Sequence, residues 1–286
     1  MKYTQEEEQF LIQNYPIYGS RYCSNVLKRD FRTVSNKARS LGLKAGRKKH
    51  DSNQKVPTSQ FLNIKTKEVA YFLGFFWADG YIRHYKVGNC NHWRIVLEIV
   101  EKDAVNISNI LDRLGKWIIV KRNRKDSWQT TWSFVTANED LYNFLKEHGY
   151  EEKSTIEPTK ILSKIPEEFK YYFWKGFIDG DGHISIKDYE YQISLTFELS
   201  GKIDYEWSEI KKVFDKLNIT KYYIYKQTSK KDHKSSVLRI NGKEIIKLKP
   251  IFVNFGLDRK TEQFSKIENY LKEKNEKLYK KPTSKT

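Results

Sequence analysis

The chain has 286 residues, with 53 Lys and Arg against 36 Asp and Glu, a formal charge of +17 and 15% aromatic residues. Its 38% hydrophobic content allows a sizeable core, but charge of this size resists compaction, so a polyanionic partner is expected. Two cysteines, Cys23 and Cys90, argue against a disulfide scaffold, and the absence of paired Cys/His spacing argues against a zinc site. No apolar run approaches the roughly 20 residues of a membrane span, and the N-terminal MKYTQEEEQF is neither a secretory nor a transit signal. The expected location is a reducing compartment, cytoplasmic or an organellar matrix, with no membrane partner and no secretion.

Residues 1–45 read as a small all-α module of three short helices. Thr4 and Glu7 have the spacing of a capping box, and Phe10, Leu11 and Tyr15 form an apolar face. Gly19 predicts a break, followed by a helix over Ser20–Lys28. A third helix over Arg32–Leu41 turns Val34, Ala38 and Leu41 inward and stops at Gly42. Its outward side carries Arg32, Ser35, Asn36 and Arg39, chemistry suited to a recognition helix in a major groove. An ordinary solvated face on a basic bundle is the plainer reading. With Thr4, Glu6, Glu7 and VSNKARSLGL, the segment resembles helix-turn-helix or Myb-like modules. Residues 46–60 are polar and basic and read as a linker, and residues 276–286 form a Lys-rich tail.

An internal duplication lies between linker and tail. One copy, 61–158, opens near AYFLGFFWADGYI; the other, 159–275, opens near YYFWKGFIDGDGHISI. Each copy continues with two alternating strands (RIVLEIV and QISLTFELS are the second ones), a helical stretch, two more strands and a closing helix. The fold class is therefore α+β, two pseudo-symmetric αββαββα halves with antiparallel sheets, preceded by the all-α module.

The motif helices are expected over Lys67–Asp79 and Pro166–Asp181. Gly74 with Ala78, and Gly176 with Gly180, stand four apart on one helical face and permit close backbone approach. Such a crossing brings the C-terminal ends together, where Asp79-Gly80 and Asp181-Gly182 sit. A carboxylate at a helix C-terminus faces the negative end of the dipole, and two side by side repel. A cation between them reverses the sign, and hard oxygen ligands select Mg²⁺-like ions that also bind phosphates. One Asp-Gly pair alone is an ordinary turn; two at matched places in a duplication point to chemistry.

The segments FLGFFWADG and WKGFIDGDG resemble the two motifs of LAGLIDADG homing endonucleases, and EEKSTIEP and NFGLDRKTEQF also look typical of that family. The resemblance covers roughly residues 60–270. It implies a monomer whose two sheets form a DNA-gripping saddle. It implies Mg²⁺-dependent cutting of both strands of a long site across a minor groove, leaving short 3′ overhangs. Mn²⁺ is expected to substitute, and Ca²⁺ to support binding without cleavage. Asp79 and Asp181 take the metal-binding places. Trp77 departs from the family's first Asp of the motif, which Asp179 keeps. Polar helpers of the family fall on Glu101 and Gly201, and on Val135 and Arg239, which makes Glu101 and Arg239 further candidates; for Arg239, a phosphate contact is the equal alternative. Related readings are an intron RNA maturase, with intron RNA as partner, or a non-cleaving DNA-binding regulator. Lacking a nucleophile at residue 1 and a terminal His-Asn, the sequence is not expected to be a complete intein.

Strand alternation places one set of side chains away from the core, ready for base reading. In the second half these are His183, Ser185, Lys187, Gln192, Ser194, Thr196 and Glu198, extended by Tyr223, Tyr225 and Arg239. In the first half they are Tyr81, Arg83, Tyr85, Arg94 and Glu98, extended by Lys121. A solvated sheet face is the alternative.

Overall fold

In the computed structural model, the described residues are 3–43, 56–122, 129–189, 192–202, 204–228, 234–252 and 255–279. The chain forms two compact units, divided between Gln54 and Lys55. Most of the expected linker, and the tail beyond 279, lie outside the described residues.

Among its described residues the first unit holds two helices, α1 (Gln5–Leu27) and α2 (Phe31–Ser40), where the sequence suggests three. The Thr4–Glu7 capping box is formed in both directions. Gly19 does not break α1, and Pro16 lies inside it. The reason is the stripe of buried Leu11, Tyr15 and Cys23, spaced by four and eight residues, which aligns only on a continuous helix and packs on Val34 and Ala38. A mid-helix glycine costs only about 1 kcal/mol, less than that burial returns. Asp30 caps α2 through the amides of Arg32 and Thr33, and Gly42 stands just beyond it at φ +70°. A two-toothed Arg29–Glu7 ion pair closes the unit.

The second unit opens with a single turn, α3 (Ser59–Leu62), and the first motif helix, α4 (Lys67–Asp79). There follow β1 (Gly80–Val87), β2 (Cys90–Val100), α5 (Glu101–Leu114), β3 (Ile118–Arg122), β4 (Thr131–Thr136) and α6 (Glu139–Glu147). After the short α7 (Thr159–Leu162) the pattern repeats. It runs through α8 (Lys170–Asp181), β5 (Gly182–Tyr189), β6 (Gln192–Lys202), α9 (Ser208–Lys216), β7 (Tyr223–Thr228) and β8 (Lys234–Asn241), ending in α10 (Asp258–Tyr279). The sheets are antiparallel, ordered β1-β2-β4-β3 and β5-β6-β8-β7. The second motif helix begins later than expected: Pro166 precedes a 3₁₀ turn over Glu167–Phe169, and α8 starts at Lys170.

The two halves share one core, and α4 against α8 is its centre. Gly74 lies against the Phe173 carbonyl and Gly176 against the Tyr71 carbonyl, so a methyl group on either would overlap backbone oxygen. Near the C-terminal ends Gly180 lies against the Ala78 methyl group, which leaves no room for a second one. Buried aromatics fill the flanks, with Phe72 stacked on Phe76 at 5.2 Å and Trp77 edge-on to Tyr150 at 4.9 Å. Gly176→Ala is expected to destabilise the second unit by more than about 3 kcal/mol, because rigid backbone on the partner helix cannot yield as a side chain would. Thermal or denaturant melting checks this; a loss near the ~1 kcal/mol mean of point substitutions would show that the helices can part without cost.

Candidate functional site

Asp79 is the last residue of α4 and Asp181 the last of α8. The chain leaves each helix directly into a strand at Gly80 and Gly182, whose amides bond to the carbonyls of Phe76 and Ile178. These glycines have ordinary negative φ, −82° and −78°. They are needed for space, since a methyl would strike the Phe76 ring at Gly80 and the Ile178 carbonyl at Gly182. The result is two carboxylates delivered to one place, with Asp79 lying against Gly180 of the opposite helix.

Both Asp side chains are exposed, yet each is backed by densely packed protein. That backing pushes Asp181 up to about 7, with repulsion from Asp79 adding to it and Lys153 and Lys260 opposing. Asp79 is raised for the same first reason, and Lys153, Lys260 and Arg259 counter it. Among the described residues no third acidic, His or Cys side chain gathers there to hold a metal ion. The donor set therefore fits a hard divalent cation such as Mg²⁺, which keeps water and phosphate oxygens as its remaining ligands.

Two lysines complete the centre, and neither was anticipated from the sequence. Lys153 donates to the carbonyls of Trp77 and Ala78 at 2.6 Å each and of Phe76 at 3.3 Å, capping the negative end of α4. Lys260 donates to the Gly182 carbonyl, just past the end of α8. Burial brings each down to about 8, against the pull of nearby carboxylates. Their signal was present in EEKSTIEP and NFGLDRKTEQF. Each lysine follows a glycine by four residues, and those glycines, Gly149 and Gly256, have φ of +90° and +92°. Lys153, Asp181, Ser154, Ser200 and Lys202 line a cavity of about 220 Å³.

The two halves hold their lysines differently. Asp179, buried, accepts from Lys175 at 2.6 Å, from Tyr71 at 2.8 Å and from the amide of Leu257 at 2.9 Å, anchoring the segment that leads to Lys260. In the first half Leu73 and Trp77 occupy the positions of Lys175 and Asp179. Trp77 there donates to the Tyr205 hydroxyl, which donates to the Lys153 carbonyl at 2.8 Å.

Glu101 and Arg239 each have partners of their own. Glu101 begins α5 and accepts from Trp132 at 3.2 Å. Gly80 pairs with Leu97, four residues back, or about 13 Å along the chain at strand rise. The strand register sets Gly201 against Ile99 of the first half rather than Glu101, since Gly80–Leu97 corresponds to Gly182–Leu199. Arg239 does correspond to Val135, but it stands two strands from His183 and is ion-paired with Glu198, over the Tyr225 ring at 5.0 Å. His183, Ser185, Ser194, Thr196, Glu198 and Tyr223 share the sheet face turned from the core, as do Tyr81, Arg83, Tyr85, Arg94 and Glu98. Lys187 shares it too. The Gln192 side chain lies outside the described residues. Lys121 pairs with Trp132 on the opposite face and rests over that ring at 4.0 Å. In the first unit Arg32, Asn36 and Arg39 are exposed, while the Ser35 hydroxyl is engaged with Ser20 at 3.0 Å.

A carboxyl raised to about 7 keeps in the folded state a proton that the unfolded chain loses near 4. The folded state is then penalised increasingly as pH rises from about 4 to about 7, the penalty remaining in full above that window. The metal-free Asp181→Asn protein is expected to melt above the wild type at pH 8 and to converge with it at pH 4. A difference independent of pH would show that Asp181 titrates as an ordinary exposed carboxylate.

No family model matches the sequence, and no curated protein matches it. Solved structures do. The structure of I-LtrWI bound to target DNA aligns with a TM-score of 0.50 at 16% identity, over 74% of this chain and 91% of that one. I-AabMI bound to uncleaved DNA gives 0.47 at 13% identity, over 71% and 91%. An I-DmoI variant in complex with nicked target DNA gives 0.47 at 16%, over 66% and 98%. The fold statement rests on the first of these together with the duplicated topology and the crossed motif helices. This chain has the fold of the two-motif LAGLIDADG homing endonucleases.

Proposed function

We propose that the chain is a site-specific DNA endonuclease that makes a metal-dependent double-strand break and leaves short 3′ overhangs. The observation that carries this reading is the convergence of Asp79 and Asp181 at the crossing of α4 and α8, flanked by Lys153 and Lys260. Asp79 and Asp181 would hold divalent cations, Mg²⁺ foremost; bound there, such an ion activates water and stabilises the leaving oxygen of a phosphodiester. Lys153 and Lys260, brought down to about 8, keep much of their charge at neutral pH and can pair with phosphate or exchange a proton with solvent. One chain brings both carboxylates, so a monomer suffices. The sheet faces turned from the core supply donors, acceptors and cations to the grooves of a long duplex site, and a net charge of +17 makes binding steeply salt-dependent.

Cleavage of a randomised plasmid pool with Mg²⁺ tests the reading. Wild-type protein is expected to make a defined double-strand break. Asp79→Asn and Asp181→Asn should each lower the cutting rate by at least about a thousandfold, about 4 kcal/mol of barrier, while duplex binding persists. Tight binding without cutting by the wild type would turn the assignment toward a binding protein on this fold.

The first unit is proposed to lengthen the DNA contact through Arg32, Asn36 and Arg39. Removing residues 1–50 is expected to weaken binding and leave the rate at saturating protein unchanged. Loss of cutting at saturation would place that unit in the chemistry instead.

A further inference from the structure

The register that makes the two halves equivalent also exposes a difference between them. Across the second sheet, on the face turned from the core, runs the row His183–Glu198–Arg239–Tyr223. Every member is polar, and Arg239 and Glu198 are ion-paired, with the Tyr225 hydroxyl on Glu198 at 3.3 Å. The equivalent row of the first sheet is Tyr81–Val96–Val135–Ile118, and Val120 stands where Tyr225 does. Four aliphatic side chains thus replace a hydrogen-bonding network. Ile118 is 60% exposed and Val120 37%, although they face away from the core of a strongly charged protein. Val96, on the same face, is fully buried but lies outside the main core cluster.

The surroundings of the strip say what covers it. Arg83 and Arg94 stand opposite each other across β1 and β2 on this face, Glu98 and Ser133 complete the row of Val120, and Arg122 shares the face from the end of β3, 4.0 Å from the Glu98 carboxylate. An apolar strip edged by guanidinium groups suits a polyanion that carries apolar groups at its centre. Duplex DNA is such a molecule: phosphates line the groove edges, and thymine alone among its four bases presents a methyl group in the major groove. Tyr81 lies two residues after Asp79, so this row crosses the sheet at the end nearest the carboxylates.

We propose that the first half reads the base pairs beside the cleavage point through thymine methyl groups, using Ile118, Val120 and Val135, whereas the second half reads its own side through hydrogen bonds. The inference rests on the endonuclease reading. It makes the target asymmetric in chemistry: thymine-bearing on one side of the cut, and specified by donors and acceptors on the other.

The test begins with the site recovered from the cleaved pool, with thymines replaced by deoxyuridine on one side of the cut at a time, and affinity measured in Ca²⁺. On one side, each lost methyl is expected to weaken binding about fourfold, the equivalent of one buried carbon; on the other side affinity stays unchanged. An Ile118→Ala/Val120→Ala protein should bind the thymine and deoxyuridine forms of the sensitive side with affinities closer to each other than the wild type does. Both residues are exposed, and an unchanged melting temperature verifies that the variant is folded. A site cut normally but indifferent to deoxyuridine on both sides overturns the inference alone, as does a deoxyuridine effect undiminished in the double variant. Failure to cut any DNA removes the endonuclease reading and this inference with it.

Discussion

The approach of two backbones at Gly74 and Gly176 is the constraint from which the rest of the second unit follows. With no side chain between them, carbonyl oxygens of one helix rest on the α-carbons of the other. Packing of that closeness fixes how the helices cross, and with it how near their ends lie. Their last residues are aspartates, so the same contact that stabilises the core concentrates negative charge at one point. The dipoles of α4 and α8 add to it. Lysines on the helix ends and raised carboxyl pKa values are the fold's own partial answers to that charge. Core packing and site electrostatics are one feature seen from two sides.

Much of this was legible in the sequence. The duplication, the order of the elements, the bounds of α4 and the four-residue spacing of small residues all follow from periodicity and composition. What failed did so for identifiable reasons. Gly19 looked like a break because local propensity was weighed without the Leu11–Tyr15–Cys23 stripe that rewards continuity. Pro166 looked like a helix start because a 3₁₀ turn and an α-helix share its preferences at that position. Glu101 follows the end of β2, where strand register, a tertiary property, decides which side chains become neighbours. Lys153 and Lys260 reach the site from segments more than 70 residues distant from the helix ends they cap; the glycine four residues before each marks a turn, and only the tertiary fold shows where the lysine after it lands.

The halves share a scaffold and differ in chemistry. At the positions of Lys175 and Asp179 the first half uses Leu73 and Trp77. A buried ion pair can be exchanged for hydrophobic residues without loss of stability, and both solutions occur here in one molecule, the first half using the bulkier pair. The sheet faces diverge in the same way along the row that begins at Tyr81 and His183, polar in the second half and largely aliphatic in the first. Duplication supplied two copies of one geometry, and the two now carry different side chains on it.

The Asp179 cluster has a consequence for taking the molecule apart. Its acceptor oxygens serve Lys175 and Leu257 from the second half and Tyr71 from the first. Two second halves placed together would have Phe173 where Tyr71 belongs, leaving each buried carboxylate short of a donor. Trp77 likewise depends on Tyr205, a second-half residue. The halves have become mutual complements. A chimera that exchanges one half for that of a relative must carry Tyr71 with Asp179, and Trp77 with Tyr205, across the join.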